Sequence, residues 1–127
     1  MKLKGNPQEP KYNSILEEIY HRSHELMQAC QELADDGRDA AHKRDALGRA
    51  RAKAFLMAEG KNKEEREAKA DAHYADERLD SFIADANKEA CHEKVRSLRQ
   101  TLSALQTIAN STKAEVDAFH YGQDGQT

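Results

Sequence analysis

From Lys61 to Tyr121 the chain contains neither Gly nor Pro. A β-structure cannot run that far without turn residues, because strands average about six residues between punctuations. A helix can, and about 55–60 residues of helix reach about 85 Å at 1.5 Å per residue. The rest of the chain is nearly as poor in breakers, with two Pro and six Gly in 127 residues. No alternating β-branched strand pattern and no apolar strand run between helices is present, which excludes an all-β sandwich and a Rossmann-like sheet. Charged residues reach 34% and mean hydropathy is −0.98, values that taken alone also fit disorder. Helical periodicity decides for an all-α fold of long helices in a coiled-coil or helical-bundle arrangement.

Residues 1–11 hold both prolines, Pro7 and Pro10, and three lysines, and read as a flexible basic arm. A single helical domain is expected over 12–121, with helices at about 13–35, 38–59 and 63–120 and a flexible tail over 122–127. Asn13 or Ser14 caps the first helix. Its stripe is Leu16, Ile19, Ser23, Leu26, Cys30 and Leu33, extended by Ile15 and Met27, and Asp35-Asp36-Gly37 ends it. The second helix carries Ala40, Leu47, Ala50, Ala54 and Met57 and stops at Gly60. Asn62-Lys63-Glu64-Glu65 reads as a capping box opening the third. There the stripe Ala68, Ala72, Ala75, Leu79, Phe82, Ala86 does not join in phase with Val95, Leu98, Leu102, Leu105, Ala109, Thr112, Val116, Phe119. Either a stutter through Ala90 and Lys94 keeps one rod, or a break near Asn87–His92 lets the chain fold back.

The formal net charge of −3 hides a segregation. Residues 12–37 carry six acids and one Arg. Residues 38–53 carry Arg38, Lys43, Arg44, Arg49, Arg51 and Lys53 against Asp39 and Asp45. Clustered cations, not total charge, give polyanion affinity. With Phe55 close behind and Lys61 and Lys63 after the turn, this block suits backbone phosphates with a base stacked on the ring. The competing reading is that it neutralises the acidic first helix.

Catalytic chemistry has no foothold. Cys30 and Cys91 form neither a disulfide framework nor a zinc spacing. His21 and His24 lie one turn apart beside Glu17 and Glu25, without a third ligand at readable spacing. Cys91 and His92 diverge by about 100° on a helix, and no phosphate loop or nucleophile elbow occurs. No enzyme, cofactor or metal is expected. No run of 18 apolar residues exists to cross a membrane, and Met1-Lys2-Leu3-Lys4-Gly5 lacks an apolar signal core, so the expected location is cytoplasmic.

Two segments carry a resemblance. One is Arg49-Ala-Arg-Ala-Lys-Ala-Phe-Leu-Met-Ala-Glu-Gly60 with Lys61-Asn-Lys-Glu-Glu-Arg66; the other is Val95 through Phe119-His-Tyr-Gly122. Their order, a basic helix with an aromatic and a Gly stop followed by a helix with a terminal aromatic and Gly, resembles small all-helical tailed-phage proteins of the UvsY type, which are recombination mediators. The likeness spans residues 40–122. It implies a phage-encoded homo-oligomer in a bacterial host cytoplasm that binds single-stranded DNA and helps load a recombinase onto DNA coated by single-strand-binding protein. On that resemblance Lys43, Arg44, Arg49, Arg51, Lys53, Lys61 and Lys63 face DNA, while Leu98, Leu102, Leu105, Ile108, Val116 and Phe119 form the oligomer seam. The net acidic balance departs from that family. The alternative is a coiled-coil scaffold or protein-interaction module, or an inhibitor of a host protein, without a nucleic-acid ligand.

Overall fold

The computed structural model describes residues 8–124, with side chains to residue 122. The chain forms α1 (Glu9–Met57), α2 (Lys63–His73) and α3 (Ala75–Asp124), and the two long helices pack together as a bundle. The all-α expectation holds, and the described residues contain no strand. Several boundaries differ from the sequence reading. Residues 9–11, expected in the basic arm, already belong to α1. Pro10 fits there because first-turn N–H groups have no helical partner to lose. The remainder of the expected arm, residues 1–7, lies outside the described residues. At the other end residues 122–124 are helical, and 125–127 lie outside the described residues.

α1 does not stop at Asp35-Asp36-Gly37. Its covered positions run Tyr12, Ile15, Ile19, Arg22, Leu26, Ala29, Leu33, Asp36, Ala40, Lys43, Leu47, Ala50 and Ala54, alternating steps of three and four without interruption. A heptad repeat of this kind keeps one face toward a partner helix. That packing outweighs the cost of about 1 kcal/mol that a helical Gly imposes. Ile15 and Ala29 take the places expected for Leu16 and Cys30, which are exposed together with Met27.

α3 shows the same regularity. Tyr74, just ahead of it, and then Glu77, Ser81, Ala84, Lys88, Cys91, Val95, Leu98, Leu102, Leu105, Ala109, Thr112, Val116 and Phe119 are covered, again at steps of three and four. There is no break near 87–92 and no stutter. The one interruption after residue 63 falls at Tyr74, whose φ of −119° and ψ of 22° separate α2 from α3. The expected stripe Ala68, Ala72, Ala75, Leu79, Phe82, Ala86 is exposed. Its members Ala68 and Ala72 lie on α2, while Ala75, Leu79, Phe82 and Ala86 mark a second face of α3, so the phase mismatch needs no break within α3.

The reversal after α1 is tight. A Cβ on Gly60 would stand 3.1 Å from the Arg66 backbone N, so a larger residue fits only if its neighbours give by a few tenths of an ångström. Asn62 caps α2, its Oδ1 accepting from the Glu65 N–H at 2.8 Å. Glu65 answers through Oε2, which accepts from the Lys61 N–H at 3.1 Å. This is the expected capping box with its return bond one residue earlier.

Packing divides the chain into two compact units. The terminal unit draws on Met1–Ala29 and Lys94–Thr127, the central unit on Cys30–Glu93. In the terminal unit the covered faces are rich in large aliphatics, with Ile15, Val95 and Leu102 buried, and Glu9 meets His120 through their side chains. In the central unit α1 and α3 run antiparallel. Cys91 Sγ lies 3.9 Å from Glu32 Oε2, and Arg44 donates to Asp85 at 3.2 Å. The core there is Ala54, Ala70 and Tyr74, with Leu47, Ala50 and Ala58 against it.

Candidate functional site

The seven basic residues singled out in the sequence all lie in the central unit, and its helices distribute them around α1 and into the turn. Lys43 is half-buried at a seam position. Arg44 pairs with Asp85 at 3.2 Å, Arg49 with Asp45 at 2.6 Å, and Lys63 with Glu67 at 3.8 Å. Arg51, Lys53 and Lys61 are exposed, and no ion pair engages their side chains among the described residues.

Four of the seven, Arg44, Arg49, Arg51 and Lys53, line grooves among the described residues, and each of these grooves also holds a carboxylate. A groove of about 340 Å³ between α1 and α2 is lined by Gly48, Arg51, Phe55, Glu67, Asp71 and Tyr74 among others. A second, of about 510 Å³, holds Lys53 with Met57, His73 and Glu77. A third, of about 570 Å³, holds Arg44 and Arg49 with Asp45. A phosphate entering any of them meets a negative charge within the same walls. Phe55, the ring expected to stack a base, therefore borders a groove that contains Glu67 and Asp71. Arg78 stands over the Tyr74 ring, 4.8 Å from its centroid, and 3.4 Å from Asp71 Oδ1. The Tyr74 hydroxyl also reaches Asp71. This local network holds the ring that separates α2 from α3.

The residues assigned to an oligomer seam have another place. Leu102 is buried, and Leu98, Leu105, Val116 and Phe119 are half-buried, all within the single chain. Only Ile108 of the six is exposed, at 46%. The heptad that called for a partner helix finds one in the same chain, because α1 supplies the matching face.

What the sequence reading missed is an apolar face that nothing among the described residues covers. Phe82 is 72% exposed, Leu79 57% and Ile83 48%. They sit at steps of three and one on the outer side of α3, continued by exposed Ala86 and Ala90. Around them lie Asp76, Asp80 and Glu89, exposed and without an ion pair among the described residues. At the end of α1, Leu56 is 83% exposed and Met57 71%. The signal was present in the sequence as the out-of-phase stripe, but periodicity alone assigns such residues to a core.

The terminal unit has exposed apolar residues too, Leu16, Tyr20 and Met27 on α1. Tyr20 contacts the rings of His21 and His24, at centroid distances of 5.8 and 6.2 Å. Arg22 joins Glu18 and Glu25 at 2.8 and 3.0 Å; the hydrogen bonds to Glu25 and then Glu18 raise its pKa above the ordinary guanidinium value. Among the described residues no group of His, Cys, Asp and Glu is arranged to hold a metal ion, and no helix is long and apolar enough to cross a membrane. Comparison with family models, curated proteins and solved structures finds no match to this chain.

Proposed function

We propose that the chain is a helical protein-interaction module whose contact surface is the outer face of the first half of α3. The observation that carries this reading is the exposure of Phe82, Leu79 and Ile83 on adjacent turns, outside a seam that is already complete. Fully burying one such side chain contributes about 1.5–3 kcal/mol, so three on one face offer a partner helix an apolar anchor. A charged helix of ordinary solvated character would place Lys or Glu at these positions.

The test is a photo-reactive residue placed at 82 and, as control, at 110, in cells where the protein is made. Cross-links to a protein from position 82 and not from 110, lost on adding Leu79→Lys, are the expected result. Absence of cross-links from position 82 overturns the reading.

A second reading keeps the phage mediator resemblance, with single-stranded DNA, a recombinase and a single-strand-binding protein as partners. The observation in its favour is the trio Arg51, Lys53 and Lys61, exposed and unpaired among the described residues. It expects retention of a fluorescent oligonucleotide at low salt that falls with a log–log slope of about −0.7 per phosphate contact. The triple change of Arg51, Lys53 and Lys61 to Ala would then remove it. The carboxylates in each cation-lined groove place this reading second.

A further inference from the structure

Resting on the interaction reading above, we propose that the partner of the α3 face is a second copy of this chain, which docks the end of its own α1. The two surfaces are chemically matched. The α3 patch has Leu79, Phe82 and Ile83 at its centre, rimmed by the carboxylates Asp76, Asp80 and Glu89, which are unpaired among the described residues. The α1 patch has Leu56 and Met57 at its centre, with the cations Lys53, one turn before Met57, and Lys61, four residues after it, both unpaired among the described residues.

The same pattern appears in segment charge. Residues 75–93 carry six acids (Asp76, Glu77, Asp80, Asp85, Glu89, Glu93) against Arg78 and Lys88, a balance of −4. Residues 38–53 carry six bases against two acids, a balance of +4. Like-with-like pairing, α3 on α3 or α1 on α1, sets equal charges against each other across an apolar centre and is disfavoured. Only the unlike pairing satisfies both centre and rim. Such a contact uses two different patches, so each copy keeps one patch free after the first contact and association propagates.

Because both anchors are exposed, they can be changed without touching a seam. Phe82→Lys places a cation where the incoming rim is basic. Leu56→Glu places an acid where the incoming rim is acidic. Sedimentation velocity with light scattering, at about 50 and 300 mM salt, reads the outcome. Wild type is expected to gain mass with concentration, more strongly at low salt. Each variant alone is expected to weaken association at least about tenfold. Mixed, the two variants retain one intact patch each and are expected to form a one-to-one dimer that grows no further.

A wild type that stays monomeric throughout overturns the proposal, as does a mixture that stays monomeric while wild type associates, or a Phe82→Lys chain that associates undiminished. Circular dichroism checks the fold of each variant, and Phe82→Ala with Leu56→Ala repeats the same readout if either fails to fold. A monomeric wild type whose position 82 still cross-links to a different protein sinks the second-copy partner alone. No cross-links at all sinks the interaction reading with it.

Discussion

The terminal and central units use the same two long helices and the same repeat, yet fill the repeat in opposite ways. In the terminal unit the covered positions are Ile15, Ile19, Leu26, Leu98, Leu102, Leu105, Val116 and Phe119, broken by few polar residues such as Arg22 and Thr112. In the central unit Ala40, Ala50, Ala54 and Ala84 and the polar Asp36, Lys43, Glu77, Ser81 and Lys88 take most of these positions, with Leu33, Leu47, Tyr74 and Cys91 between them. Apart from Leu33, Leu47 and Tyr74, the central unit's larger apolar side chains are on the outside, at Phe55, Leu56, Met57, Leu79, Phe82 and Ile83. Small seam residues let helices approach but bury little area, so they contribute little of the hydrophobic term. The lesson is that a heptad repeat fixes which face is covered, while side-chain size fixes where the stabilising area is. In the central unit those two have come apart, and its most apolar surface remains available to another chain.

The comparison breaks most visibly at matched large residues. Leu102→Ala is expected to lower stability by about 3 kcal/mol, because the seam cannot collapse onto the missing volume. Phe82→Ala, although it deletes a larger side chain, is expected to stay within about 0.5 kcal/mol. Urea denaturation of the two variants measures both; equal losses would erase the distinction between the units. An intermediate effect comes from giving the central unit the other unit's chemistry. Lys43→Leu and Asp36→Leu put aliphatics at half-buried seam positions and are expected to add about 1 kcal/mol each, read as a higher urea midpoint. A loss of stability would mean that the charges are needed in the seam. The smallest effect concerns the helical glycines. A Cβ at Gly37 or Gly48 meets nothing within 4 Å. Gly37→Ala and Gly48→Ala are each expected to raise stability by about 0.5–1 kcal/mol, seen as an upward shift of the thermal midpoint.

Much of the fold was legible. The breaker-free stretch specified α3, Gly60 and Asn62 specified the reversal and its cap, and the 3-4 spacing from Val95 to Phe119 matched the buried face residue by residue. The interruption at Gly37 was misread because local propensity was weighed without the neighbouring helix. Tyr74 was passed over because nothing in its sequence context marks a break; its place follows from a ring packed on Ala54 and Ala70. The candidate site was less legible. Counting charges located the basic block, but not that Arg44, Arg49 and Lys63 are engaged by carboxylates. Asp45 and Glu67 were visible four residues away from Arg49 and Lys63, whereas Asp85 is brought to Arg44 only by the fold. The exposed face was hidden by a sound habit, that of assigning every apolar stripe to a core.

The pairing of chain ends has a consequence for how the molecule comes into being. Arg44 and Asp85 are 41 residues apart, while Glu9 and His120 are 111 apart. Closing the shorter loop costs less entropy, so the central unit can form early and without the termini. On a ribosome, Ile15, Ile19 and Leu26 emerge first and find their partners only when the last residues of α3 arrive. The unit with the better-filled seam is thus the one that waits longest unprotected. Pulse-labelled hydrogen exchange during refolding is expected to show protection in residues 40–90 ahead of residues 12–26, and the nascent N-terminal half is the segment a chaperone would have to hold.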